Sequence, residues 1–343
     1  MVQLKPSDKN HYTEIDCIRG ICAILLLLHH YTKYIYDKNQ WQDWCYVINE
    51  YGRYGVHFFF VISGFLIFMT LDKAKHPKDF IISRFSRLYP GYWVCILLTT
   101  LVVNSSPYYA FHTITLNQFL INLTMLQHWF LIEDIDGVYW TLAVELCFYL
   151  LIFLVFITKQ QRHIERIGII WMGIMLLNYY SAGLQILHSD QQPSNLNFYL
   201  PLLKNGTLFF GGILFYQLKK DPSQKRKYVL LLLTLVVHFI INKTEETMVI
   251  IFVYFILYLF LIDKLRFMRG KVSYFIGIIS YSLYLLHQYI GYEVINFLND
   301  HGITNIFLEI LITGFLILIL STIVAFGVER PAMKFIRGKF FRE

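Results

Sequence analysis

The sequence predicts an all-α integral membrane protein with about ten transmembrane helices. Of its 343 residues, 56% are hydrophobic, 18% are aromatic and only 15% are charged. Soluble domains carry roughly 25% charged residues, so this composition excludes an ordinary soluble protein. Apolar runs long enough to cross a bilayer recur along the whole chain. They lie at 15–36, 52–71, 85–103, 138–158, 167–187, 198–218, 228–242, 247–262, 272–298 and 304–328.

The positions of the basic residues predict how these segments are oriented in the membrane. They cluster before the first segment and after the second, fourth, sixth, eighth and tenth. The clusters are Lys5 and Lys9; Lys73, Lys75, Lys78, Arg84 and Arg87; Lys159, Arg162 and Arg166; Lys219, Lys220, Lys225, Arg226 and Lys227; Lys264, Arg266, Arg269 and Lys271; and Arg330, Lys334, Arg337, Lys339 and Arg342. Because short cytoplasmic loops collect Lys and Arg, both termini are predicted to be cytoplasmic. The net charge of +7 follows from this topology, and no nucleic-acid partner is expected.

The remaining features of the chain favour one membrane domain over residues 1–343. The longest connection, Asn104–Gly137, is apolar in part and predicts an interfacial or re-entrant helix on the outer side. The polar N-terminus does not resemble a secretory signal peptide. Four of the five cysteines lie in apolar segments and only Cys45 reaches the outer side, so neither a disulfide framework nor a metal site is predicted.

The first apolar segment carries two ionisable residues on one helical face. Arg19 and His30 are eleven residues apart, which is nearly three turns and about 16 Å along the axis. The charge pattern places Arg19 towards the cytoplasm and His30 well inside, near the outer side. Ionisable groups at membrane depth are costly and by default indicate function. His30 is a candidate general base, although a histidine that only packs between helices is an alternative.

Other buried polar residues lie at a depth similar to that of His30. Glu145 in the fourth segment is predicted at a matching level, where its carboxylate would either hydrogen-bond to the imidazole and orient it or flank a common substrate with it. His57 lies near the same level, and His287 lies deeper on a polar face that includes Tyr284. Structural roles stay open for Glu145 and His287, and for His57 simple solvation at the interface is favoured.

Arginines at the cytoplasmic end of the third segment indicate a phosphate-bearing ligand. Arg84 and Arg87 are three residues apart and share a helical face, with Arg19 at a comparable level. Forked guanidinium groups bind phosphate well, whereas anchoring to lipid headgroups is the ordinary alternative. An elongated donor with phosphates at these arginines and a reactive tip at His30 has the shape of an acyl-coenzyme A.

Short segments distributed over nearly the whole chain form an ordered series. They are the Arg19 to His30 spacing after IDCIRG, GVHFFFVISGFLIF (Gly55–Phe68), RFSRLYP (Arg84–Pro90), WTLAVE (Trp140–Glu145), YSLYLLH (Tyr281–His287) and ERP (Glu329–Pro331). The series resembles the motifs of the acyltransferase family 3 membrane proteins, which move acyl groups, usually acetyl, onto sugars of surface polysaccharides and other glycosylated acceptors. No single segment is specific, but the ordered combination is.

The resemblance implies a ten-helix core with cytoplasmic termini in a bacterial cytoplasmic membrane. It implies His30 as the catalytic base with Arg19 as its companion, and Arg84 and Arg87 as contacts of the donor acetyl-coenzyme A, without a metal. The acceptor would be a sugar, polysaccharide or lipid-linked glycan. Acceptor-site candidates are His57, Ser63, Trp140, Tyr284 and His287.

The chain departs from the family pattern at two places. Many members carry Asp where this chain has His57, and Glu-Gln where it has Leu146 and Cys147. These substitutions leave the donor chemistry intact but make the acceptor uncertain. A polytopic flippase or exporter of a glycolipid or polysaccharide, without acyltransferase activity, would also explain many helices and intramembrane charges. It would not explain three arginines gathered at one end.

Overall fold

The computed structural model describes residues 12–37, 45–109, 113–188, 200–242 and 244–340, and every regular element among them is helical. The α-helices are α1 (Thr13–Asp37), α2 (Cys45–Tyr51), α3 (Gly55–Lys73), α4 (Pro77–Ser105), α5 (Leu116–Asn122), α6 (Trp140–Ile157), α7 (Ile164–His188), α8 (Leu202–Lys220), α9 (Lys225–Ile241), α10 (Thr244–Leu261), α11 (Lys271–Leu286), α12 (Tyr289–Asp300), α13 (Ile306–Val324) and α14 (Arg330–Phe340). A π-helical turn, Ala325–Glu329, joins the last two.

Each predicted apolar segment coincides with helical structure, which confirms the all-α prediction. Six stretches of the described residues are long and apolar enough to cross a membrane, so this is a multi-pass membrane protein. They are Thr13–Asp37, Cys45–Lys73, Pro77–Ser105, Trp140–Ile157, Thr244–Leu261 and Ile306–Phe340. Ten crossings and cytoplasmic termini stay predictions. Lys5, Lys9 and Arg342 of the charge pattern lie outside the described residues.

Contacts divide the chain into two compact units. The first unit consists of Met1–Val56, Ile81–Thr141 and Phe267–Glu343, and the second consists of His57–Phe80 and Leu142–Arg266. Both units are discontinuous in sequence, so residues far apart along the chain meet inside each of them. A single domain over residues 1–343 stays a prediction.

The first unit is built around the packing of α1 against α11. Two glycines let these helices approach closely. A Cβ atom at Gly277 would lie 2.2 Å from Cβ of Asp16, and one at Gly20 would lie 2.5 Å from Cγ1 of Ile276. Any side chain at either position would push the helices apart. The close contact therefore holds the helix that carries His30 against the helix that leads to His287.

The predicted helix 272–298 is wrong in one respect, because it is interrupted at His287 and Gln288. The carboxylate of Asp136 accepts a hydrogen bond from the backbone N–H of Tyr289 at 3.1 Å. The ring of His287 lies with Nδ1 2.8 Å from the carbonyl oxygen of Tyr284. Side chains thus satisfy backbone groups that a continuous helix would pair, and they stabilise the break.

The described part of the connection predicted as a re-entrant helix contains a 3₁₀ turn, Pro107–Tyr109, and the seven-residue helix α5, which Thr115 caps through a hydrogen bond from the N–H of Gln118. The rest, up to Tyr139, is a series of turns. Polar side chains hold these turns: Asn122 contacts the backbone of Glu133 and Ile135. The chain therefore reaches Asp136 as an irregular, hydrogen-bonded segment rather than as a long helix.

The second unit has α8 at its centre, packed against α7, α9 and α10. Most side chains of α8 are buried, from Leu202 to Leu218. At the end of α8, Lys219 donates to the Asp263 carboxylate at 3.0 Å and Lys220 to Asp72 at 2.7 Å. Cations in the last helical turn also suit the negative end of the helix dipole, so these contacts stabilise the end of the helix.

Candidate active site

His30 lies in a cluster of hydrogen-bonding rings in the first unit. It is half-buried on α1, seven residues before the end of the helix. Its ring centre is 5.1 Å from that of His287, and its Nδ1 atom is 3.4 Å from Oη of Tyr292. Both partners come from the two sides of the break between α11 and α12. The interruption of the helix therefore assembles the surroundings of His30.

His287 presents an acceptor nitrogen at this cluster. The side chain is fully buried, and Nδ1 lies 2.8 Å from the carbonyl oxygen of Tyr284. A carbonyl oxygen only accepts, so this contact assigns the proton of the neutral ring to Nδ1 and leaves Nε2 with its lone pair. Among the described residues, Nε2 has no hydrogen-bond partner. A buried acceptor of this kind is unsatisfied until a proton donor or a ligand reaches it.

Asp136 holds the break in place. Its two carboxylate oxygens accept from the N–H groups of Val138, at 3.2 Å, and Tyr289, at 3.1 Å. The side chain is fully buried, and burial raises the pKa of Asp136 to about 7. The N–H of Tyr289 lies in the first turn of α12, so this carboxylate also faces the positive end of that helix. Asp136 thereby positions the helix that carries Tyr292.

Two further predicted acceptor residues have different environments. Oη of Tyr284 donates to the carbonyl of Val138 at 2.9 Å and lies 2.8 Å from Oγ1 of Thr141. Tyr284 thus ties α11 to the start of α6. Trp140, the first residue of α6, is 43% exposed. Of the two, Tyr284 lies beside the His30 cluster, since its ring centre is 5.7 Å from that of His287.

The arginines form a second cluster in the first unit. Arg87 pairs with the carboxylate of Glu329, which also accepts from Oγ of Ser282 at 3.1 Å. The Glu329 side chain is 1% exposed and that of Arg87 is 22% exposed. The Arg87 guanidinium also lies 5.6 Å from the ring centre of Tyr281. A buried carboxylate needs such a charged partner, so Arg87 has a structural contact of its own.

The other two predicted donor-binding residues are also in the first unit. Arg84 donates to Oγ of Ser83 at 3.3 Å, and its side chain is half-buried on α4. Arg19 is half-buried on α1, about 16 Å along the helix from His30. The structure thus brings Arg84 and Arg87 to one helix, as predicted from their spacing, and places His30 and Arg19 on another.

The remaining predicted residues lie in the second unit. Glu145 accepts from Oγ of Ser63 at 2.6 Å and from Oη of Tyr149 at 2.7 Å. These hydrogen bonds satisfy the carboxylate within the second unit, and the pairing of Glu145 with His30 stays a prediction. His57 is half-buried, and its ring centre is 6.4 Å from that of His238.

Several residues described above were not predicted as site residues, among them Tyr292, Glu329 and His238. Tyr292 was missed because no local sequence pattern predicts the helix break that places it near His30. Glu329 was noted only as part of a short motif, although a carboxylate at the end of an apolar segment is a sufficient reason to look for a cation. His238 is a buried histidine in the segment 228–242 that contacts Thr207 at 3.0 Å, and the same rule would have found it.

The first unit contains a group of imidazoles and, apart from it, a group of guanidiniums. An imidazole beside a buried acceptor nitrogen suits proton transfer. Guanidinium groups suit the charged end of a substrate. No group of three or more metal-ligating side chains occurs among the described residues.

Comparisons with known proteins indicate an acyltransferase. The family model described as "Acyltransferase domain" matches residues 12–328. A protein named "Putative O-acetyltransferase" from Staphylococcus aureus strain COL is 26% identical over 336 residues, covering 84% of this chain and 51% of the relative. A "Putative acetyltransferase" of Acidianus two-tailed virus is 23% identical over 292 residues, covering 81% and 83%. The chain therefore spans about half the length of the staphylococcal relatives. No solved structure matches.

Proposed function

The chain belongs to the acyltransferase 3 family, and on this premise we propose that it is an integral-membrane O-acyltransferase that transfers acetyl from acetyl-coenzyme A to a hydroxyl of a sugar, surface polysaccharide or lipid-linked glycan. The observation that carries the proposal is the half-buried His30 beside the acceptor nitrogen of His287. An imidazole in that setting is suited to removing a proton from an alcohol.

The proposed reaction needs one base and no metal. His30 removes the proton of the acceptor hydroxyl as its oxygen attacks the thioester carbonyl. The tetrahedral intermediate then collapses, the carbon–sulfur bond breaks, and the leaving thiolate takes the proton from the imidazolium of His30. The products are the acetyl ester and free coenzyme A. Since His30 becomes positively charged during attack, a neutral acceptor beside it stabilises the transition state.

The neighbours of His30 have supporting roles in this proposal. The lone pair on Nε2 of His287 favours the protonated state of His30, and Oη of Tyr292 orients the ring through Nδ1. Arg19, Arg84 and Arg87 provide positive charge for the phosphates of the donor. Glu145, Ser63 and His57, which lie in the second unit, stay candidates from the sequence alone. His287, Tyr284 and Trp140 remain candidates for acceptor contacts.

The proposed setting is the cytoplasmic membrane of a bacterium, with both termini in the cytoplasm and membrane lipid around the helices. Coenzyme A is a cytoplasmic cofactor, and the basic loops are the parts of the chain expected on that side. His30 lies about three turns further along α1 than Arg19. A donor extended along the helix would thus carry its acetyl group from the cytoplasmic side towards the outer half of the membrane.

The proposal is tested by mass spectrometry of the surface glycans of a host that expresses the wild-type protein, the His30→Ala variant or neither. The wild type should add acetyl groups that disappear on mild alkaline treatment, because esters hydrolyse there. His30→Ala, present in the membrane at the same level, should add none. Equal acetylation by both proteins would exclude His30 as the base.

The alternative function of a flippase or exporter predicts a different outcome. Such a protein would not bind acetyl-coenzyme A saturably and would release no coenzyme A. Titration of the purified protein with acetyl-coenzyme A, followed by measurement of free thiol, separates the two functions. Saturable binding with thiol release on addition of an acceptor supports the acyltransferase, and the absence of both supports the flippase.

A further inference from the structure

A third guanidinium lies beside the predicted donor-binding arginines. Arg337, on the final helix α14, donates from Nε to Oγ of Ser86 at 3.1 Å and from Nη2 to the carbonyl of Ser83 at 3.3 Å. Arg84 donates to Oγ of the same Ser83 at 3.3 Å. Two arginines more than 200 residues apart in sequence therefore donate hydrogen bonds to the same serine, Ser83.

Arg337 has positively charged neighbours. Arg337 lies within electrostatic range of both Arg84 and Arg87. The carboxylate of Glu329 in this cluster is bound to Arg87 and Ser282. The hydrogen bonds of Arg337, by contrast, go to a hydroxyl and a carbonyl, which carry no charge. Half-buried like charges repel one another, so an anion that binds between Arg84 and Arg337 would relieve this repulsion.

We propose that Arg337 and Arg84 together bind a phosphate monoester, while Arg87, which Glu329 holds in an ion pair, contributes positive charge to the donor site without a direct contact to this phosphate. This inference rests on the proposed function in one respect, because in an acetyl-coenzyme A-dependent enzyme the ligand is the 3′-phosphate of coenzyme A. Two guanidinium forks match the oxygens of a doubly charged phosphate. The hydroxyls of Ser83 and Ser86, already hydrogen-bonded to these arginines, lie beside the bound group.

The assignment separates the role of Arg87 from that of Arg84 and Arg337. Arg87 supports the fold around Glu329, and the last helix supplies a residue to the binding site. Arg337 therefore contributes to donor affinity rather than only to the positive charge of the terminus. Coenzyme A and a lipid such as phosphatidic acid both carry a phosphate monoester. The lipid is therefore the alternative ligand of this site.

The test uses the purified full chain in nanodiscs of zwitterionic lipid and measures the dissociation constants of coenzyme A and 3′-dephospho-coenzyme A. The wild type should bind coenzyme A at least about tenfold more tightly, because charged hydrogen bonds to the 3′-phosphate are lost in the analogue. Arg337→Gln should reduce this ratio to about one. Lys334→Gln removes the same charge one turn earlier on an exposed position and should keep the ratio.

Arg337→Lys guards against a folding defect, because it keeps the charge but has no fork, and it should give an intermediate ratio at an unchanged unfolding midpoint. Nanodiscs that contain phosphatidic acid test the lipid source. If that lipid binds in an Arg337-dependent way and coenzyme A does not, the phosphate site stands with a lipid as its ligand. If neither ligand depends on Arg337, the inference is overturned.

The inference and the proposed function fail separately. If coenzyme A is preferred in an Arg337-dependent way but no acetyl is transferred, the phosphate site is supported and the acyltransferase function is refuted. If acetyl is transferred but the ratio of dissociation constants is the same in Arg337→Gln and wild type, the acyltransferase function is supported and the phosphate site is refuted.

Discussion

The two polar clusters of the first unit are stabilised in different ways. Around His30, the contacts with His287 and Tyr292 join neutral rings, and one buried acceptor has no partner in the described part of the chain. Around Arg87, a buried carboxylate is neutralised by a cation and by a serine hydroxyl. The first cluster is suited to a change of protonation, whereas in the second the buried carboxylate of Glu329 already has its cation. Substitutions should therefore affect turnover at the first and stability or binding at the second.

The largest effect on stability is expected for Arg87→Gln. It leaves the 1% exposed carboxylate of Glu329 without its cation, which should lower the free energy of unfolding by about 3 kcal/mol. Glu329→Gln should cost about 1 kcal/mol, because Ser282 still has an acceptor and Arg87 retains access to solvent. Thermal unfolding of the three proteins in the same detergent measures the difference. An equal or larger loss for Glu329→Gln would contradict the assignment of the buried partner.

The pH dependence of stability should change in Asp136→Asn. The folded-state pKa of about 7 lies above the roughly 4 of an unfolded Asp. The folded state therefore holds its proton more tightly, and stability falls as pH rises from about 4 to 7, by at most roughly 1.4 kcal/mol per pH unit, and then levels off. Unfolding midpoints between pH 4 and 8 should show this decline in the wild type. The variant should have a flatter curve, and parallel curves would refute the pKa assignment.

A selective loss of turnover is expected for His287→Ala. Without the acceptor beside His30, the protonated imidazole loses a stabilising neighbour, and kcat should fall about tenfold while KM for acetyl-coenzyme A stays the same. The exposed His301, at the end of α12, provides a matched control, and His301→Ala should behave as wild type. A rise in KM without a change in kcat would show that His287 contributes to substrate binding rather than to proton transfer.

The smallest effect is expected for Tyr292→Phe. The contact of its hydroxyl with Nδ1 of His30 is 3.4 Å long, near the limit for a hydrogen bond. Its loss should reduce kcat by roughly two- to fivefold. Tyr289→Phe, in the same helix, serves as the control and should leave kcat unchanged. A loss as large as that of His287→Ala would show that the hydroxyl takes part in proton transfer.

Local sequence patterns predicted the helices and the composition of the two clusters, because apolar length and charge are readable one segment at a time. Arg84, Arg87, His30 and His287 were identified in this way. The helix break after Leu286 was not predicted, since it depends on Asp136, which is about 150 residues away in sequence. The partner of Arg87 was likewise unreadable, because Glu329 approaches only through the packing of distant helices.

The central claim, that His30 is the base of an acetyl transfer, is tested most directly with purified protein in nanodiscs. The measurement is the rate of labelled acetyl transfer from acetyl-coenzyme A to acceptor glycan. His30→Ala should lower this rate about 10²- to 10⁴-fold with unchanged affinity for acetyl-coenzyme A. His29→Ala should stay within about tenfold of wild type, since Nδ1 of His29 is bound to the carbonyl of Asn49, at 2.7 Å, and its ring only packs edge-on against that of His30. Transfer by His30→Ala at the wild-type rate would contradict the account.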